Sequence, residues 1–248
     1  PMGYRTEGLV EIECYTYSFN VEQLTPIRDR LLAMPQVKRI GWAMNMPWQC
    51  QTNGVQEKGS GDEPVSSWTF YSAMDTTCMS MLGFETVEQY CAPEDDKHYI
   101  AEETRDRYGI SADNPNVGGQ ISGTASYPVC GVIKDYRSFN PVDGNSMADG
   151  HNIIAVMMNP NRAAFIMVEL SEEGLKDVDE SIKQMQETCR AVTKEACGVE
   201  KDFDIRTVDD ILAEPMEELT NLFLMVLCFM LVSVLISALG LFAMSISY

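Results

Sequence analysis

The chain has 248 residues and a formal net charge of −19, from 37 acidic and 18 basic side chains. So negative a surface disfavours nucleic acid and anionic lipid headgroups as partners. With no Cys-x-x-Cys pair among eight cysteines, and only two isolated histidines, His98 and His151, the sequence offers neither a zinc site nor a thioredoxin-like centre.

Glu7 to Phe19 reads as a strand rich in β-formers. Thr25-Pro26 then has the form of a helix start, with Ile27, Leu31 and Met34 as the apolar stripe and Pro35 as the stop. Val37 to Ala43 makes a second strand and completes a strand–helix–strand unit. Residues 44–64, with their glycines and prolines, read as loop. Val65 to Ala73 is a strand, and Thr76 to Leu82 is a short helix capped by Gly83. His98 to Ala101 is a short strand leading into a helix over Glu102 to Tyr108, closed by Gly109. Ile121 and the run Tyr127 to Lys134 suggest a hairpin.

Asn152 to Met158 and Ala164 to Leu170 are two apolar strands with a turn at Asn159-Pro160-Asn161. From Ser171 one long helix is expected, ended by Gly198, with Leu175, Val178, Ile182, Met185, Cys189, Val192 and Ala196 along its apolar face. Phe203 to Arg206 is the last strand. This order predicts an α+β, two-lobed domain built from βαβ-type units with a mixed insert. The expected boundaries are 1–218 for the domain, with one lobe over 4–72 plus 151–208 and an inserted lobe over 73–150. A transmembrane helix over 219–248 follows.

That last segment carries no charged side chain from Leu219 to Tyr248. Leu222 to Met244 makes a helix of roughly 35 Å against a hydrocarbon core of about 30 Å. Fourteen of its residues are Leu, Ile, Val or Phe, and each favours insertion. The approach to the span is acidic (Asp209, Asp210, Glu214, Glu217, Glu218), with no Lys or Arg after Arg206. The positive-inside rule therefore points the large domain away from the cytoplasm. Ser233, Ser237 and Gly240 fall at i, i+4 and i+7, a small face that permits close helix packing in the bilayer. Pro215 is the candidate hinge between domain and span.

Seven cysteines lie outside the span, an odd number that cannot all pair internally. Free buried thiols are one expectation, and one or two disulfides in an oxidising compartment are the other. Cys189 and Cys197, about 12 Å apart on a continuous helix, cannot bridge. Catalytic signatures are missing: there is no G-x-S-x-G, G-x-x-x-x-G-K, G-x-G-x-x-G or H-E-x-x-H. Asp143 to Asp149 begins like a calcium loop but has Ala148 in place of the turn glycine and Ile154 in place of the closing Glu. Asp95-Asp96 reads as a solvated loop. No catalytic, cofactor or metal residue is expected.

Three stretches resemble a known family. Ile100-Ala-Glu-Glu-Thr-Arg-Asp-Arg-Tyr-Gly109 is similar to the "strand, Asn-Glu, helix, Gly" segment of MacB/FtsX-type ABC transporter permeases, with Glu102 where Asn is usual. Tyr127 to Tyr136 resembles their Val-Gly-Val-Val-Lys-Asp-Phe strand end, and Ser233 to Phe242 resembles their second span. The resemblance implies an external domain in the periplasm, anchored in the bacterial inner membrane. It also implies a separate cytoplasmic ABC ATPase, a homodimer or related permease partner, and a periplasmic adaptor. No enzymatic activity of the chain itself follows. The opening Pro-Met-Gly-Tyr favours a fragment of such a permease. The alternative is a single-span, tail-anchored binding or sensor domain.

Overall fold

The computed structural model describes residues 2–14, 21–58, 64–118, 126–138, 151–158 and 163–246. Contacts divide the chain into Pro1–Val208 and Asp209–Tyr248.

The first unit is built on two interlocked split βαβ units. Strand β1 (Leu9–Glu13) leads through helix α1 (Val21–Leu32) to β2 (Val37–Asn45). Late in the chain, β10 (Phe165–Leu170) leads through α4 (Glu172–Lys176) and α5 (Val178–Cys197) to β11 (Asp204–Thr207). Strand β10 inserts between β1 and β2, antiparallel to both, and β11 pairs with the far side of β1. The resulting order β11-β1-β10-β2 is that of a ferredoxin-like sheet.

The middle of the chain extends this sheet. It contains β3 (Gln51–Lys58), β4 (Pro64–Met74), α2 (Thr76–Leu82), β5 (Thr86–Gln89) and β6 (His98–Ala101). Helix α3 (Glu102–Tyr108), β7 (Asn116–Gly118), β8 (Ser126–Ile133) and β9 (His151–Val156) complete it. The sheet runs on from β2 as β4-β9-β6-β8-β5, with β3 on β4 and β7 on β8. Pairs β4–β9 and β6–β8 are parallel. The molecule is thus a mixed α+β fold of βαβ-like units.

Strand β10 is buried on both faces and reads as a nearly continuous apolar run, whereas β1, buried except at Glu13, carries Glu11 inside it. On one face Val10, Ile12, Ile166 and Val168 pack with Leu24, Ile27 and Leu31 of α1 and Met185, Cys189 and Val192 of α5. Helix α2 approaches the other face at Gly41, where a Cβ would stand only 2.8 Å from both the Asp75 carboxylate and the Cys78 amide. Gly83 and Gly109 end α2 and α3 at φ of 71° and 60°, the left-handed cap read from the sequence.

Three local expectations change. The segment 44–64 is not all loop: Pro47–Gln49 is a 3₁₀ turn, and β3 pairs residue by residue with β4 from Gln51↔Tyr71 to Lys58↔Pro64. Its own sequence is poor in β-formers, so the pairing comes from the ladder that β4 offers. Helix α1 begins at Val21 rather than at Thr25, with Pro26 inside it, and buried Leu24 belongs to its earlier turn.

The expected single helix breaks at Asp177, whose backbone is extended at φ −148°. Two caps follow one another there, because the Ser171 hydroxyl accepts from the Gly174 amide and the Asp177 carboxylate from the Glu180 amide. The expected strands β9 and β10 both form and share the one sheet, without being neighbours in it. β9 lies between β4 and β6, whereas β10 lies between β1 and β2. The turn at 159–161, Ile121 and the calcium-like stretch 143–149 fall outside the described residues.

Candidate functional site

Helix α6 runs from Val208 to Ile246, 39 residues without a break in its helical backbone. Within it, Thr220–Ser237 is long and apolar enough to cross a membrane, and none of that window is buried in the molecule. Leu222, Phe223, Phe229, Val234 and Ile236 all point outward. A helix this apolar on its whole circumference is matched to lipid rather than water.

Two of the small residues singled out in the sequence satisfy themselves inside the helix. The Ser233 hydroxyl donates to the Phe229 carbonyl at 2.8 Å, and that of Ser237 to the Ser233 carbonyl at 2.8 Å. Such bonds to the residue four back remove the cost of taking a hydroxyl into hydrocarbon. They also leave a small, smooth face. Gly240 and Pro215 lie within the same helical backbone, and their side-chain surroundings fall outside the described residues.

The first two sequence motifs meet in space. Strand β6 runs parallel to β8, with Ile100 opposite Val132 and Ala101 opposite Ile133. The Asp135 carboxylate, just past the end of β8, accepts from the Glu103 amide at the start of α3 at 2.8 Å. A carboxylate there meets the positive end of the helix. The Thr104 hydroxyl donates to the Asn152 backbone carbonyl, and the Asn152 side-chain amide to the Tyr136 carbonyl. Tyr136 packs on Phe84 and Tyr4, with ring centres 4.9 and 6.5 Å away. These residues tie α3, β8 and β9 together, and the motifs are therefore architectural.

Two buried carboxylates escaped the sequence reading. Glu169 in β10 receives Arg5 at 2.8 Å, Lys38 at 3.2 Å and Arg39 at 2.5 Å. Burial alone would raise its pKa, but the hydrogen bonds from Arg39, Arg5 and Lys38 outweigh this and hold it at about 2. Glu11 in β1 accepts from the Trp48 indole N–H at 2.8 Å. Burial pushes its pKa up to about 7 against that bond. The available signal was a lone carboxylate inside an otherwise buried strand, which demands a partner.

A cleft of about 720 Å³ includes Arg5, Lys38, Glu169, Glu173 and Lys176 in its lining. Its cations are already engaged by carboxylates, Lys176 by Glu173 and the other two by Glu169. Among the described residues there is no group of three or more side chains placed to hold a metal ion.

No family model matches the chain, and no curated protein matches it. Solved structures do. A domain ascribed to a permease protein from Porphyromonas gingivalis aligns at a TM-score of 0.50 and 10% identity, over 84% of this chain and 92% of that one. This chain has the fold of that permease domain. Also similar are the periplasmic region of MacB from Actinobacillus actinomycetemcomitans (TM-score 0.48, 14% identity, 86% of this chain and 94% of that one) and the extracellular domain of the noncanonic ABC-type transporter YknZ from Gram-positive bacteria (0.45, 10%, 80% and 99%).

Proposed function

We propose that this chain is the extracytoplasmic domain and following membrane span of a MacB/FtsX-type ABC transporter permease. The observation that carries the reading is a permease-domain fold followed directly by a helix apolar on all sides. In this reading residues 1 to about 218 lie outside the bacterial inner membrane. Lobes 4–72 with 151–208 and 73–150 are the two halves of the external domain. A separate cytoplasmic ATPase supplies the energy, a second permease copy or relative packs beside the span, and a periplasmic adaptor receives the external domain. The span transmits ATP-driven movement to the external domain for export or for mechanical signalling, and Pro215 is its pivot. The absence of Lys and Arg from the approach to Thr220 supports the outward placement.

Cys91 is the natural reporter of topology. It is exposed, whereas Cys14, Cys50, Cys78, Cys130 and Cys189 are buried. After mild reduction, a membrane-impermeant thiol reagent should label Cys91 in intact spheroplasts. Labelling only after permeabilisation overturns the outward placement. Coupling is tested separately, by replacing Ser237 and Gly240 with Leu in the full-length permease. Insertion should persist, because Leu is at least as apolar. ATP hydrolysis should no longer be tied to transport or partner activation, because the bulk forces neighbouring helices apart. Unchanged coupling refutes the role of the small face.

A further inference from the structure

The edge strand β5 ends in an irregularity with chemical content. Both the Tyr90 and the Cys91 amides donate to one acceptor, the Cys130 carbonyl, at 2.7 and 3.1 Å. Two residues of one strand therefore oppose a single residue of its partner, which is the hydrogen-bond signature of a β-bulge. The bulge pairs the backbone of the exposed Cys91 with that of the buried Cys130 in β8, whose thiol donates to the His98 carbonyl at 3.3 Å. Gln89 reinforces the junction, its side-chain amide donating to the carbonyls of both Cys91 and Cys130.

We infer that Cys91 and Cys130 are a dithiol pair that closes to a disulfide and staples β5 to β8. Residues facing one another across an antiparallel bulge lie in the range of Cα separations that a disulfide spans. The electrostatics agree with proximity: burial, then the neighbouring Cys91 sulfur, pushes the Cys130 thiol up to about 11. Tyr99, whose hydroxyl donates to Gln89 at 3.1 Å, experiences the charge of both sulfurs.

The accessibilities assign the order of steps. An external disulfide is the oxidant. The exposed Cys91 thiolate attacks one of its sulfurs, forming a mixed disulfide and expelling one thiolate. Cys130 then loses its proton and attacks the Cys91 sulfur, closing the internal bond and expelling the second thiolate. The chain gives up two electrons and two protons, and the external disulfide becomes two thiols. Cys14 and Cys189, both buried in the apolar core under α5, are shielded from this exchange.

What the bond would hold is the sheet edge. Among the described residues strand β5 pairs only with β8, and it is mostly solvent-exposed. Its other attachments include ion pairs, Glu88 with Arg105 at 2.6 Å and Lys134 with Glu85 at 2.6 Å at its approach. Persistence of the bond in the cell rests on the extracytoplasmic placement proposed above, because a reducing cytoplasm would open it. Formation of the bond does not.

The test uses the purified full chain in detergent, incubated with oxidised glutathione, quenched in acid and mapped without reduction. A peptide linking Cys91 to Cys130 is expected, together with slower hydrogen exchange at the amides of residues 86–91. Cys130→Ser should stall at the Cys91–glutathione adduct, and Cys91→Ser should leave Cys130 reduced. A wild-type chain that accumulates the Cys91 adduct, or links Cys91 to any other cysteine, overturns the pairing. If the link forms in vitro but is absent from protein isolated from cells with thiols trapped, the pairing stands and the outward placement fails.

Discussion

The two ends of the sheet are stabilised differently. At the β11-β1-β10-β2 end, two helices lie across one face and an apolar core runs from Val10 through Leu31 and Met185 to Phe203. At the β9-β6-β8-β5 end one apolar cluster among the described residues consists of Ile100, Ile110, Val117, Val129, Val132 and Ile153, rimmed by partly buried tyrosines, and Ile133 and Ile154 are buried as well. Polar ties are concentrated there: the Asp135 cap, the Thr104 and Asn152 bonds, and the Glu88–Arg105 pair. Apolar burial is non-directional and tolerates small displacements, whereas a hydrogen-bonded tie depends on geometry. The first end is therefore the stable platform, and the second is the end that opens locally at lower cost.

The largest test of this contrast is Met185→Ala. The side chain is fully buried on the core-facing side of α5, and its loss should cost about 2–5 kcal/mol, read from denaturant unfolding of the full chain in detergent. Ile182, only partly buried, should cost less on truncation, and Lys183→Ala almost nothing. Ile100→Ala should act differently, accelerating hydrogen exchange in β5, β6 and β8 before β1 and β10 respond. Simultaneous loss of protection in all of them would break the distinction between the ends.

Next in size is Glu169→Gln, which leaves Arg5, Lys38 and Arg39 around a neutral amide. The expected loss is about 2–3 kcal/mol, below the usual cost of breaking a buried pair, because the cationic side chains stay partly solvated. With its folded pKa lowered to about 2, Glu169 contributes stability above the ordinary carboxylate value, and that contribution is lost as pH falls toward 2. The Gln variant should lack this acid-side decline.

Asp135→Ala removes one carboxylate from the start of α3 and should cost about 1 kcal/mol. Because the tie is local, faster exchange should be confined to α3 and its neighbours. The last test concerns Glu11 and is read from pH dependence. Its folded pKa is raised to about 7, so the folded state favours the protonated form and loses stability as pH rises from about 4.5 to about 7. Glu11→Gln should flatten that slope in a pH series of thermal midpoints, and an unchanged slope would mean that another group titrates there.

Helix α2 with its Gly83 cap, and the β6–α3–Gly109 segment, were legible residue by residue, because caps and left-handed glycines are local rules. The α5 stripe was only half legible. Met185, Cys189 and Val192 are buried as the spacing requires, but Leu175 and Ala196 are exposed, while Ser181 and Thr193 are buried instead. Ser181 can be buried because its hydroxyl donates to the Gly174 and Asp177 carbonyls, a contact created by the break at Asp177.

The sequence alone determined the apolar terminal helix, the acidic surface, the α+β class and the capped short helices. Each rests on composition or on neighbours within one or two turns of chain. Only the tertiary structure decided that β10 slots between β1 and β2, that β3 is a strand, that the two motif segments lie side by side, and that Glu11, Glu169 and the Cys91–Cys130 bulge have the partners they do. Those outcomes depend on contacts between residues far apart in the chain, whose entropy cost is offset only when the whole sheet assembles.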